Sequence, residues 1–162
     1  YELLLQLGRS KCDIVRVGPQ HIKDGELSFH RKKTKVAFTI PILPPLKAAI
    51  DAMPKGARHL TFLVTEQGKP FTAKGFGNWF RDRCDEAKLP RKDAETGRPR
   101  CTPHGLRKSA ATRFADRGAT VTQLMAWFAW KTPGEAIHYT ETADRRRAAK
   151  AAAEKLRTET GR

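Results

Sequence analysis

Residues 102–140 read TPHGLRKSAATRFADRGATVTQLMAWFAWKTPGEAIHYT, and this run organises the reading of the whole chain. Thr102 and Pro103 are a good N-cap and first helical position, so a helix is predicted to about Asp116, closed by Gly118. Thr120 with Gln123 forms a capping box for a second helix to about Phe128. After Pro133 a short helix is predicted over 134–139, and a separate last one over 143–156. His104 and Arg107, three positions apart, share a face near the positive N-terminal end of their helix. Leu106, Ala110 and Phe114 form the apolar stripe of that helix, and Arg107 lies on its border. A guanidinium held there is suited to clamp a phosphate bidentately. Tyr139 is the only tyrosine besides Tyr1, and it follows Trp130 by nine residues and Arg107 by 32. A phenol that attacks phosphorus needs such positive charge to stabilise the developing oxygens.

Working outward, residues 1–12 read as the end of a helix interrupted near Gly8. Residues 26–31 and 36–42 alternate as strands about the basic turn Lys32-Lys33-Thr34-Lys35. Pro41, Pro44 and Pro45 lead into a helix over 46–53, and an apolar stretch Thr61–Val64 precedes the turn at Gly68-Lys69-Pro70. Phe76, Trp79, Phe80 and Cys84 recur at helical spacing, predicting an amphipathic helix over 72–87 with its aromatic side chains in the core. A basic loop over 88–101 joins it to the run quoted above. The expected fold class is α+β, mostly α-helical, with helices around a small antiparallel hairpin, in one domain without internal repeats.

Lys and Arg number 32 against 17 Asp and Glu, a formal net charge of +15, which points to a polyanionic partner. Cys12, Cys84 and Cys101 are too few and too scattered for a disulfide framework, and neither they nor the five histidines have the spacing of a zinc site. A reducing compartment and no metal are expected. No apolar run reaches the roughly 20 residues that cross a bilayer. The chain opens on Tyr1 inside a helical pattern, so a preceding segment is expected to be missing.

His104-Gly105-Leu106-Arg107, then Ala129-Trp130-Lys131, then Ile137-His138-Tyr139-Thr140 resemble, in order and spacing, the second box of the tyrosine recombinases, the phage-integrase family. In that family Gly-His-Lys is usual where Ala129-Trp130-Lys131 stands. Upstream, the basic turn followed by Val36-Ala37-Phe38-Thr39-Ile40-Pro41 is similar to the family's β-hairpin lysine and its Ile-Pro strand, with Lys33 as the matching lysine and Lys32 as the alternative. Gly8-Arg9-Ser10-Lys11-Cys12-Asp13 resembles the first box, Gly-x-Arg-x-x-Asp, but the arginine position holds Ser10. Were the segment helical, Arg9 and Lys11 would each point about 100° away from it.

The resemblance implies a catalytic-domain-like fold over the whole chain, truncated before its first helix and lacking the family's DNA-clamping domain. It implies site-specific DNA recombination and integration through a 3′-phosphotyrosyl intermediate, without cofactor. Tyr139 is then the nucleophile, Arg107 the phosphate clamp, His104 a proton-transfer or phosphate-holding group, Lys33 the acid for the leaving 5′-oxygen and Trp130 a donor to a non-bridging oxygen. Asp13 supports the first box. The implied partners are double-stranded DNA and three further copies in a tetramer exchanging C-terminal helices, in a prokaryotic cytoplasm or as a phage-encoded protein, with no membrane. Arg31, Lys32, Lys35, Lys74, Arg91 and Arg100 are the leading residues for DNA backbone contact, with His30, Lys92, Arg98 and Arg145 to Arg147 behind them. Three other readings compete: a cleavage-deficient DNA-binding relative, which Ser10 favours; a type IB topoisomerase-like enzyme; and a basic RNA-binding domain, which leaves the His–Arg–Trp–Tyr spacing unexplained.

Overall fold

The computed structural model describes residues 1–53 and 60–159. The chain divides into two compact units, Tyr1–Ala110 and Ala111–Arg162, and the division falls within a helix.

In the first unit, α1 (Glu2–Leu7) ends at Gly8, whose φ of 58° is the left-handed conformation that stops a helix and favours glycine. The expected helix over 1–12 is therefore two. A separate short helix, α2 (Lys11–Ile14), starts after Ser10, which is extended. A three-stranded antiparallel sheet follows in the order β1 (Ile22–Lys23), β2 (Glu26–His30), β3 (Ala37–Pro41). The alternation read in the sequence sets its faces: Leu27 pairs with Ile40 and Phe29 with Phe38, and all four are buried. Strand β1 was not expected. It is two residues long, but Asp24-Gly25, both at positive φ, is the turn dipeptide that joins it to β2.

Helix α3 (Pro44–Asp51) begins on its prolines and packs on α1, burying Leu46 near Leu3, Leu4 and Leu7 in the core. Helix α4 (Ala73–Glu86) is capped by the Thr72 hydroxyl, which accepts from the Gly75 amide, and packs on α2. Its aromatic face is only partly core. Phe76 is buried, whereas Trp79 is 38% exposed and stacks on Phe76. Burying Phe76 in full is sufficient for docking, so the rings beyond it keep an open edge.

Helix α5 (Pro103–Asp116) carries Arg107 and crosses the division; Thr102 Oγ1 accepts from the Gly105 amide at its start. In the second unit, α6 (Val121–Phe128) has the expected reciprocal capping box between Thr120 and Gln123. It packs on α7, with Leu124, Phe128, Ala136 and Ala143 buried in this unit. Helix α7 runs unbroken over Gly134–Glu159, where two helices were expected. In the expected gap, Thr140 and Thr142 turn their hydroxyls back onto the carbonyls of Ile137 and His138. Those bonds satisfy the hydroxyls within the helix, and no glycine or proline interrupts it after Gly134. From Ala148 to Arg157 every residue of α7 is exposed. No described helix is long and apolar enough to cross a membrane.

Thr120→Ala removes the acceptor for the Gln123 amide and should destabilise the protein by about 1 kcal/mol. Urea denaturation followed by circular dichroism measures it.

Candidate functional site

The first unit gathers the first box, the hairpin turn and α5 around one buried carboxylate. Asp13 is 2% exposed. Its Oδ1 accepts the Lys32 backbone amide at 2.8 Å, and its Oδ2 accepts the Ser10 hydroxyl at 2.8 Å. The Arg31 guanidinium stands 3.6 Å from the same Oδ2. Asp13 thus ties the short helix α2 to the first residue of the lysine turn. The turn closes through two backbone bonds, Arg31 N–H to the Val36 carbonyl and Lys35 N–H to the Arg31 carbonyl, with Lys35 at a φ of 58°. Lys32, Lys33 and Lys35 are exposed on it.

Arg107 is buried and donates from Nη1 to the Gly8 carbonyl at 2.5 Å, across 99 residues of sequence. The glycine that stops α1 therefore also pins the guanidinium of α5. His104, one turn earlier on α5, is exposed and lines a cavity of about 620 Å³. Ser10, Lys11, Lys74, Arg81, Arg91 and Arg100 line the same cavity, so its lining carries the first-box serine and the second-box histidine beside five long cations. Arg91 is fork-paired to Asp85, whose carboxyl that hydrogen bond holds below its usual range. Arg100 lies 3.3 Å from Asp93. All three cysteines line this cavity as free thiols; burial first, then Cys101 and Asp85, pushes the Cys84 thiol up, so it remains protonated near neutrality.

The helical condition under which Arg9 would point about 100° from Ser10 is not met. Because Gly8 is left-handed and Ser10 extended, the residue between them does not follow the helical angle. Arg9 is fully buried, its guanidinium carbon 3.4 Å from the centroid of the Phe38 ring on β3. Burial, then the neighbouring charges of Arg107 and Arg31, lower its pKa to about 9 despite the attraction of Asp13. The helix-breaking Gly8 was the signal for this, since an angular argument holds only within one helix. Lys11, by contrast, does stand on the cavity wall.

The second unit holds the other two residues of the pattern together. The Tyr139 and Trp130 rings are stacked, with centroids 5.7 Å apart and planes inclined by 2°. Trp130 in turn stacks on Phe128 at 4.9 Å. The phenol is thus backed by a two-ring platform, a role for Trp130 that donor–acceptor reasoning missed. Ala129, where the family pattern has glycine, sits at a φ of 49° as the C-cap of α6, which is the conformation that favours glycine there. The Arg145–Arg147 run, expected among the DNA contacts, is engaged within its own unit: Arg145 with Glu141, Arg146 with Asp116, and Arg147 with Asp144 and the Ala115 carbonyl.

The family model described as the phage integrase family matches residues 10–146. Among solved structures, a lambda integrase dimer bound to a COC' core site superposes with a TM-score of 0.71 at 20% identity, covering 86% of this chain and 40% of that one. The Tn1549 transposon integrase in complex with a circular intermediate DNA gives 0.67 at 16%, covering 91% and 57%. A lambda integrase tetramer bound to a Holliday junction gives 0.66 at 21%, covering 83% and 40%. The chain therefore spans about half the length of these structures, and at such identity they establish the fold: that of the tyrosine recombinase catalytic domain, mostly helical with a small antiparallel sheet. No curated protein matches the chain.

Asp13→Ala strands Arg31 and releases the Lys32 amide. It should cost about 3 kcal/mol in urea denaturation and speed hydrogen exchange at Lys32. For Arg9 the folded state disfavours the charged form, so its penalty applies in full below pH 9 and fades as pH rises above 9 towards the ordinary guanidinium range. Between pH 8 and about 10.5 the stability difference between the native chain and Arg9→Met should shift in favour of the native chain; parallel curves would contradict this.

Proposed function

The chain belongs to the phage integrase family, and from that premise we propose that it breaks and rejoins double-stranded DNA through Tyr139. The observation that carries this reading is the extent of the family match, residues 10–146, which takes in Lys33, His104, Arg107, Trp130 and Tyr139. In the proposed reaction the Tyr139 phenolic oxygen attacks the scissile phosphorus in line. A 3′-phosphotyrosyl bond forms, the bond to the 5′-oxygen breaks, and that oxygen leaves as a hydroxyl after taking a proton from Lys33. Attack by a 5′-hydroxyl of a second strand reverses these steps, so the bond energy is conserved and no cofactor is consumed.

Arg107, fixed by the Gly8 carbonyl, stabilises the pentavalent phosphate. His104 accepts the phenolic proton or holds a phosphate oxygen. Trp130 backs the attacking ring and donates from its indole N–H. The cavity side chains Lys74, Arg91 and Arg100, with Lys32 and Lys35 of the turn, follow the DNA backbone. Arg31 belongs chiefly to Asp13. The assembly we propose is a tetramer on two duplexes, as in the lambda integrase complex with a Holliday junction, with the exposed end of α7 exchanged between protomers. Its place is the prokaryotic cytoplasm, on phage or other mobile DNA.

Ser10 favours a second reading, a relative that binds DNA without cutting it, because a missing guanidinium costs on the order of 3 kcal/mol in barrier.

A nicked suicide duplex carrying the cognate site decides between the two on a denaturing gel. The first reading expects a covalent adduct that Tyr139→Phe abolishes and that Arg107→Ala slows by about 10²–10³-fold. An adduct that survives Tyr139→Phe overturns the assignment, and tight binding without any adduct establishes the second reading. Lys74→Ala should weaken binding and reduce the salt slope by about 0.9.

A further inference from the structure

Cys84 and Cys101 meet at the open end of the basic loop. Cys84 lies in the last turn of α4, and Cys101 immediately precedes Thr102 at the start of α5. The chain between them folds back on itself. The Arg100 amide donates to the Arg91 carbonyl and the Asp93 amide to the Arg98 carbonyl, both at 2.9 Å, and Lys92 bridges Pro99. The Leu89 amide, also at 2.9 Å, returns to the Cys84 carbonyl. Cys101 is thereby brought back against α4, where its carbonyl accepts the Cys84 thiol at 3.5 Å. That contact puts the Cys84 sulfur within a side chain's reach of the Cys101 sulfur, and both are free thiols. The electrostatic influence of Cys101 on Cys84 reflects the same closeness.

The pair also stands where two cavities adjoin. Phe80, Cys84, Leu89, Cys101 and Thr102 line both the cavity of about 620 Å³ and a smaller one of about 340 Å³. Cys101 is exposed and Cys84 half-buried, so a small reagent reaches Cys101 first. Cys12 lines the larger cavity alone. The charge of that cavity selects the reagent. Even with Arg91 paired to Asp85 and Arg100 to Asp93, the lining also carries Lys11, Lys74 and Arg81. A positive lining concentrates anions and repels cations.

We propose that Cys84 and Cys101 form a site of reversible oxidation whose reagent is an anionic low-molecular-weight disulfide. The Cys101 thiolate attacks one sulfur of that disulfide and expels the other as a thiolate, leaving a mixed disulfide. The Cys84 thiol gives up its proton to the expelled thiolate. Its sulfur then attacks the Cys101 sulfur and expels the second small thiolate, which takes a proton from water. The two protein thiols are oxidised by two electrons, and the reagent is reduced to two thiols. The new bond ties the end of α4 to the residue before the α5 cap and closes segment 85–100, with Arg91 and Arg100 on it, into a ring. In a reducing compartment such a bond is transient and records an oxidising episode. The chemistry is independent of the DNA reaction proposed above.

The test treats the reduced full chain with oxidised glutathione, followed by alkylation and intact mass. The native chain is expected to lose two hydrogen atoms and to keep one alkylatable thiol of its three. Non-reducing proteolysis should then link Cys84 to Cys101, and dithiothreitol should restore all three thiols. Cys84→Ser should stop at a glutathione adduct on Cys101, Cys101→Ser should form no internal bond, and Cys12→Ser should behave as the native chain. Three alkylatable thiols after treatment, a bond that includes Cys12, or a native chain that stops at the mixed disulfide overturns the proposal. The choice of reagent is tested with cystamine, a cationic disulfide, each rate being divided by that with a free small thiol. At low salt glutathione disulfide should react about tenfold faster, and the advantage should shrink as salt is added. Equal normalised rates overturn the assignment of an anionic reagent. Amide exchange over 88–100 should be slower in the oxidised chain than in the reduced one, and unchanged exchange overturns the ring closure.

Discussion

One buried carboxylate coordinates the first unit. Asp13 accepts from the Ser10 hydroxyl and from the Lys32 amide and stands 3.6 Å from the Arg31 guanidinium, and its charge acts on Arg9 against the effect of burial. A carboxylate with few alternatives in a dry interior fixes its partners in direction as well as distance. Helix α2, the start of the lysine turn and the arginine cluster are thereby placed by a single side chain. The sheet supplies the rest of the frame: Leu27, Phe29, Phe38 and Ile40 set which way β2 and β3 face, and Phe38 gives Arg9 its ring.

Gly8 is the second fixed point. Its left-handed turn ends α1, redirects Arg9 inward, and offers a carbonyl to Arg107. An alanine there would meet the steric penalty of that conformation, roughly 1–2 kcal/mol, and would disturb both arginines together. Ala129 shows the same conformation accepted with a side chain present, at the step where α6 ends and Trp130 begins. Both positions place a ring or a guanidinium immediately after the chain changes direction, a short-range way to aim a side chain with little freedom.

Much of this was legible in the residues. The caps at Thr102 and Thr120, the prolines before α3 and the alternation in β2 and β3 are local rules, and the helices and strands they predict are present. The pairing of Trp130 with Tyr139 was legible as spacing, but its stacked geometry was not, since ring orientation depends on packing. The burial of Arg9 against Phe38 was not legible, because no helical angle carries through a glycine that ends the helix. The fate of Arg145–Arg147 was hidden for a different reason: a run of cations looks identical whether it faces a polyanion or neighbouring carboxylates, and only tertiary structure brings Asp116 to Arg146. The unity of α7 was not legible across 140–142, where the threonine hydroxyls find helix carbonyls that only the folded backbone supplies.

That unity has a mechanical meaning. Tyr139 lies in the second turn of a rod that continues to Glu159, about 30 Å further on at 1.5 Å per residue. A hydrogen-bonded helix resists bending and twisting between its ends. Torque applied to the exposed tail is transmitted along the helix to the phenol, which stacks on the face of Trp130. Tail and phenol are two ends of one lever, and a load on the far end changes the aim of the near one by rotation, with no chemical signal passing between them.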